Sequence, residues 1–311
     1  MYTKQEAEEK LEKELDEIVR TKDDSKLIAF DYAIKFTLKH KANYEILEAF
    51  ISALLKEKGY GPVKIVAVLD TESNKEQYSQ KKSLADLIVE DAQKHKYIVE
   101  IERQEVKYFI HKACFNTSRL IVDQISSGED FVKIKKIFHI SLLYFDVGKS
   151  PIHHGKTVFY DHEENKLSVH ITDDENNTFD AIEILPEYIL ISIPMFNNAI
   201  KSDLDEWLYI MKNSKVESTF KGPCMDKVAQ RLSILRMTKE ERDEYYKYIK
   251  DVATYKDAVD TAEARGEARG EARGEVKGIT AVAKNMLSKG SDIKFISEVT
   301  GLTEAEVEKL K

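Results

Sequence analysis

Two glutamates and a glutamine recur at every second position of "KYIVEIERQ" (96–104): Glu100, Glu102 and Gln104. Extended backbone sends alternate side chains to opposite faces, so these three leave together while Val99 and Ile101 form the other face. A hairpin between this segment and "LADLIVED" (84–91), with its turn centred near residue 94, sets Asp86 opposite Glu102. Directly opposed side chains have Cβ atoms ~5 Å apart, and two carboxylates that close repel one another unless a cation joins them. Mg²⁺ suits such a pair, because it takes one or two carboxylates and fills its shell with water and phosphate. Gln104 on the same face would hydrogen-bond an attacking water or a phosphate oxygen, although an amide is no general base. A hairpin with a solvated polar face is the other reading of this spacing.

The elements that must position these residues follow from periodicity. Ile46, Leu47, Phe50, Ile51, Leu54 and Leu55 make a helical stripe that stops at Gly59, Gly61 and Pro62. "VKIVAVLD" reads as a strand, followed by the polar loop "TESNKEQYSQKKS" and the two strands of the hairpin. In "EVKYFIHKACFNTSRLIVDQI", Val106, Phe109, Ile110, Ala113, Thr117, Leu120 and Ile121 recur at three and four, which predicts a helix. "IKKIFHISLLYFD" is a further strand, so residues 27–147 read as αβββαβ, an α/β domain. Hairpin-like material then covers "KTVFYDH", "KLSVHIT" and "TFDAIEIL", and "DLDEWLYIMKN" is a helix with Trp207 in the core.

Beyond Pro223 the pattern is helical. "AEARGEARGEARGEVKG" (262–278) repeats every four residues with glycine at 266, 270, 274 and 278. Each glycine costs ~1 kcal/mol against alanine in a helix, and like charges stack at i, i+4. Small residues at that spacing admit a second helix closely, so self-association into a homo-oligomer and a solvated spacer are both open. The tail "GITAVAKNMLSKGSDIKFISEVTGLTEAEVEKLK" reads as short helices with a Thr303/Glu306 capping box. Glu304, Glu306 and Glu308 on the last helix would repel phosphates, which favours a small protein-interaction bundle over a helix–turn–helix DNA reader. The first 22 residues read as a charged amphipathic helix, an appendage.

Composition narrows the class. No run approaches the ~18 apolar residues of a membrane span, and the N-terminal segment lacks the apolar core of a signal peptide, so a soluble cytoplasmic protein is expected. Cys114 and Cys224 are too few for a disulfide framework and read as structural thiols. With a net charge of −8, nucleic acid must be held by local patches; the candidates are Lys81 and Lys82, Lys94 and Lys96, and Lys133, Lys135 and Lys136. The histidines, including His153, His154 and His170, show no zinc spacing and read as structural. A calcium loop starting at Asp173 fails because Thr178 and Ile184 stand where Gly and Glu are required.

The order of "DYAIK" (31–35), "SLADLIV" (83–89), "IVEIERQ" (98–104) and "SRLIVDQISSGEDFVKIKKIFHISLL" (118–143) resembles the Rpn-like recombination-promoting nuclease and transposase family of the PD-(D/E)XK superfamily. The resemblance spans about residues 27 to 215, and the four-residue repeat and the tail are similar to C-terminal regions found in that family. It implies a restriction-endonuclease-like core, a mixed sheet flanked by helices with a helical C-terminal region, and Mg²⁺-dependent hydrolysis of DNA phosphodiesters, with Mn²⁺ able to substitute. By position, Asp86 and Glu102 are the metal-binding pair, Gln104 replaces the usual Lys, and Asp31 completes the acidic set. Glu100 is an alternative ligand. Lys35, Lys82 and Lys112 are the DNA-binding candidates, and Phe115 stands where an aromatic is found.

The expected organisation is an appendage over 1–26, a nuclease domain over 27–215, a helical connector over 216–261, the repeat, and a bundle over 279–311. A non-catalytic DNA- or protein-binding module of the same fold, its assembly controlled by the repeat, is the rival. A purely structural assembly protein is weaker.

Overall fold

The computed structural model describes residues 26–69, 85–172 and 178–310, together with Lys13. The expected N-terminal helix, Lys82 and the loop at Asp173 lie outside these residues, apart from Lys13. The chain divides into two compact units, one reaching to Tyr248 and the other running from Ile249 onward.

The first unit is built on a mixed sheet in the order β1-β2-β3-β4-β8-β5. Its strands are β1 (Ile65–Leu69), β2 (Leu87–Asp91), β3 (Lys96–Glu102), β4 (Ile137–Leu143), β5 (Ile152–Lys156) and β8 (Glu187–Ser192). β2 runs antiparallel to both β1 and β3, β3, β4 and β8 are parallel, and β5 closes the edge antiparallel to β8. β4 is buried at every position, as expected of a strand covered on both faces by helices. A separate two-stranded ribbon joins β6 (His170–Thr172) and β7 (Thr178–Asp180).

A short helix, α1 (Phe30–Tyr32), runs into a π-helical stretch, Ala33–Thr37. The stripe from Ile46 to Leu55 lies in α2 (Tyr44–Lys56) and is fully buried. Helix α3 (Phe109–Val122) carries the crossover from β3 to the parallel β4 and presses Leu120 and Ile121 onto Ile88, Ile98 and Ile137. In α4 (Asp203–Asn213), Trp207 is fully buried against Phe30 and Phe50, and Ser202 and Asp205 form a capping box. α5 (Met225–Arg231) and the first turns of α6 (Lys239–Ser288) complete the unit.

Late segments pin the first strand of chain. Leu27 N–H donates to Ser214 O, Ile28 N–H to Leu232 O, and Ala29 N–H to the Tyr245 hydroxyl. Tyr32 packs edge-on against both Tyr245 and Tyr248. The compact unit therefore continues past residue 215 and absorbs the first part of the expected connector.

Several expectations differ from the observed elements. β8, "EYILIS", was not anticipated as a strand: Ile189 and Ile191 are fully buried while Tyr188 and Leu190 are half-buried, so polar alternation is absent. "KTVFYDH" yields only the last residue of β5, and "TFDAIEIL" divides into β7 and a 3₁₀ turn. Ile110 is exposed and Cys114 is also exposed, so neither serves the core.

In the second unit, α6 carries the whole four-residue repeat as exposed helix. The end of α6, α7 (Ile293–Thr300) and α8 (Glu304–Glu308) pack around Ala283, Ile296 and Val307. Gly301 adopts a left-handed conformation as the C-terminal stop of α7, and Thr303 and Glu306 form the expected capping box. No described helix is long and apolar enough to cross a membrane.

Candidate metal-binding and catalytic site

The hairpin register decides which carboxylates meet. Leu87 pairs with Val99, Ile88 with Ile98 and Glu90 with Lys96, so the ladder extends to place Asp86 opposite Glu100, two residues short of the expected Glu102. The turn is tighter than anticipated because Asp91 Oδ1 accepts the N–H groups of Gln93 and His95 and Lys94 takes a left-handed conformation. Asp86 keeps the same face as Glu100 and Glu102, since a shift of two preserves the side-chain period.

Asp86 stands just before β2, and its Oδ2 accepts the Ile101 N–H at 2.8 Å. That bond fixes one carboxylate oxygen to β3. The other, Oδ1, lies 3.6 Å from Lys35 Nζ, which the π-helical stretch delivers. Glu102 ends β3, where its carbonyl accepts the Tyr144 N–H, and its Oε1 lies 2.6 Å from Lys112 Nζ. Both carboxylates retain some solvent access, with side-chain exposures of 23% and 13%.

Glu100 is different. It is buried beneath α3, where Asn116 Nδ2 donates to its Oε1 at 2.8 Å and Lys112 Nζ lies 3.3 Å away. Burial pushes its carboxyl up to about 7, opposed by Lys112 and reinforced by the charges of Glu102 and Asp86. Behind it, His139 is fully buried, with Nδ1 at 3.0 Å from Thr117 Oγ1 and Nε2 at 3.7 Å from Glu100 Oε2. Burial, with a smaller push from Lys112, lowers His139 to about 3, so the ring is neutral. Lys112 is lowered by burial but raised more by its bonds to Glu102 and Glu100. The acidic face of β3 is therefore covered by α3 and is not an open polar surface.

Asp31 does not join this group. Arg103 holds it through two nitrogens, Nε to Oδ2 at 2.6 Å and Nη2 to Oδ1 at 2.5 Å, and the Tyr248 hydroxyl donates to Oδ2. Its contribution to the site is indirect, through Lys35 one turn on. Gln104 lies in a bend beyond β3, half-buried, and its side chain has no hydrogen bond among the described residues. Sequence reasoning missed Arg103, Asn116, Thr117 and His139. The signal available for Asn116 and Thr117 was a polar pair on the inward face of an amphipathic helix.

The donor set is all oxygen, which suits a hard divalent ion. Among the described residues no group of three or more His, Cys, Asp and Glu could hold a metal ion. An ion bound here would have only Asp86 and Glu102 as solvent-accessible carboxylates and would need water or phosphate for the rest of its shell. The histidines supply no metal centre among these residues; His154 Nε2, for example, is 2.6 Å from Glu187 Oε2 in a buried ion-pair cluster with Lys136.

Comparison with known families gives two matches. The PD-(D/E)XK nuclease family transposase model matches residues 28–262. The model of the C-terminal helix–turn–helix domain of the Rpn/YhgA-like nuclease family matches residues 280–311, which gives that segment the class the sequence reading had set second. No curated protein and no solved structure matches the chain.

Proposed function

We propose, for a chain that belongs to the PD-(D/E)XK nuclease family of transposases, that it is a Mg²⁺-dependent DNA endonuclease acting through Asp86 and Glu102. The observation that supports this reading is that Asp86, Glu100 and Glu102 share one face and act electrostatically on one another, with Lys35 and Lys112 drawn to the carboxylates. Bound there, Mg²⁺ or Mn²⁺ would supply Lewis-acid polarisation of the scissile phosphate.

The chain's own groups divide the remaining work. Asp86 keeps Oδ2 on the Ile101 N–H and offers Oδ1. Lys112 is the counter-charge of Glu102 in the resting site and becomes available to a phosphate oxygen when another cation takes that place. Lys35 is placed to do the same beside Asp86. Gln104, lacking a side-chain partner among the described residues, is free to orient a water by hydrogen bonding. Glu100 holds Asn116 and Lys112 in position from beneath. The helix–turn–helix match at 280–311 supports a second DNA contact.

A plasmid-nicking assay with Mg²⁺ or Mn²⁺, paired with calorimetric titration of either ion, separates this from the non-catalytic reading. Binding of ion and DNA with no turnover would establish the module instead.

A further inference from the structure

The flank of α3 beside the acidic site carries an alternation of aromatic and cationic residues: Tyr108, Lys112, Phe115 and Arg119, spaced four, three and four. On a helix this spacing forms one continuous edge, which Tyr108 joins as the N-cap residue just before Phe109. Tyr108 and Phe115 are 58% and 41% exposed. The edge begins at the carboxylates, because Lys112 contacts Glu102, and it runs about 16 Å along the helix. Lys107 Nζ lies 5.5 Å from the centre of the Tyr108 ring, adding a cation at the same end.

We infer that this edge binds a single, unpaired DNA strand, with Tyr108 and Phe115 stacking on bases and Lys112 and Arg119 following the phosphates. The inference deepens the nuclease reading and rests on it. Sequence-tolerant grip on single strands combines cations that track the backbone with aromatic faces on which bases stack. An intact duplex offers only base edges in its grooves, so ring faces on an exposed helix have nothing to stack against until a strand is opened. A protein partner seated on the rings would have to cover Lys112 beside them and forfeit its exposure. Lys112 is ion-paired with Glu102 and Glu100, and Arg119 Nε lies 3.5 Å from Asp123 Oδ1, so phosphates would exchange with these carboxylates along the edge of a chain whose net charge is −8.

The test uses the full chain in EDTA, where no cleavage intervenes, and measures fluorescence anisotropy with labelled oligo-dT and a hairpin duplex, each of roughly 15 nucleotides per strand. The expected result is tighter binding of oligo-dT, weakened on the order of tenfold or more by Tyr108→Ala with Phe115→Ala, with duplex affinity unchanged. Tyr108→Phe with Phe115→Trp should keep the wild-type affinity, which a loss of fold would not. Undiminished oligo-dT binding by the alanine pair overturns the inference. So does a fall in molar mass by light scattering with DNA binding intact, which would make the edge a contact between copies. Mg²⁺-dependent nicking judges the nuclease reading separately: cleavage without stacking removes only this inference, and stacking without cleavage removes only that reading.

Discussion

Arg103 and Asp31 are joined by two short contacts, at 2.6 and 2.5 Å, although 72 residues separate them. Asp31 is fully buried, and its charge is met there by the guanidinium and by the Tyr248 hydroxyl. Arg103 follows Glu102 directly, and Lys35 lies one helical turn after Asp31, so the pair ties the two sides of the acidic site together.

Removing one member of a buried ion pair costs about 3–5 kcal/mol where the survivor is sealed from water, and less here because the Arg103 side chain is 31% exposed. Asp31→Ala should still lower the urea midpoint. A mutant that keeps wild-type stability and loses only nicking would instead make Asp31 a direct participant in catalysis.

Asp86→Asn retains an oxygen for the Ile101 N–H and removes the charge. It should leave the unfolding free energy within about 1 kcal/mol of wild type and cut Mg²⁺-dependent nicking by roughly a hundredfold or more. Glu102→Gln should behave alike. Undiminished cleavage by either purified protein would count decisively against the metal assignment.

Glu100 supplies a pH signature. Its carboxyl ionises at about 7 in the folded protein against an ordinary 4.5. The folded state thus holds this proton more tightly than the unfolded chain, and the associated stability is present below about 4.5 and lost as pH rises through about 7. Glu100→Gln should stabilise the protein by roughly 2 kcal/mol at pH 8 without divalent ions and have little effect at pH 4.5. Denaturation curves at the two pH values check the difference, and an equal effect at both would contradict it.

Replacing Gly266, Gly270, Gly274 and Gly278 with alanine meets no obstacle, since nothing lies within 4 Å of the added methyl groups. Each change should favour the helix by about 1 kcal/mol, seen as a higher melting temperature of the helical circular dichroism signal. If the glycines let two copies approach, the same substitutions lower the molar mass in solution. An unchanged mass would identify the repeat as a spacer.

β4 was legible as a near-continuous apolar run. The hairpin, α2 and α3 were legible because each displays one clear period, and the buried Ile46–Leu55 stripe follows it residue by residue. The face shared by Asp86, Glu100 and Glu102 was legible for the same reason. Its register was not, because the turn is set by Asp91 gathering the N–H groups of Gln93 and His95, a local side-chain turn that strand alternation does not encode. β8 escaped because its apolar stretch, Tyr188–Ile191, is only four residues long and carries no alternation. Asp31 looked like a member of the acidic set, but its partners, Arg103 and Tyr248, lie 72 and 217 residues away, and local pattern carries no information at such separations.

The anchoring of Ala29 and Asp31 by Tyr245 and Tyr248 has a bearing on synthesis. A ribosome delivers the carboxylates, the lysines and most of the sheet well before it delivers these two hydroxyls. Until residue 248 has emerged, the nascent chain holds Asp31 without its last hydrogen-bond donor and Tyr32 without the rings that cover it. Completion of the packing around Asp31 and Tyr32 is thereby deferred to a late moment of translation.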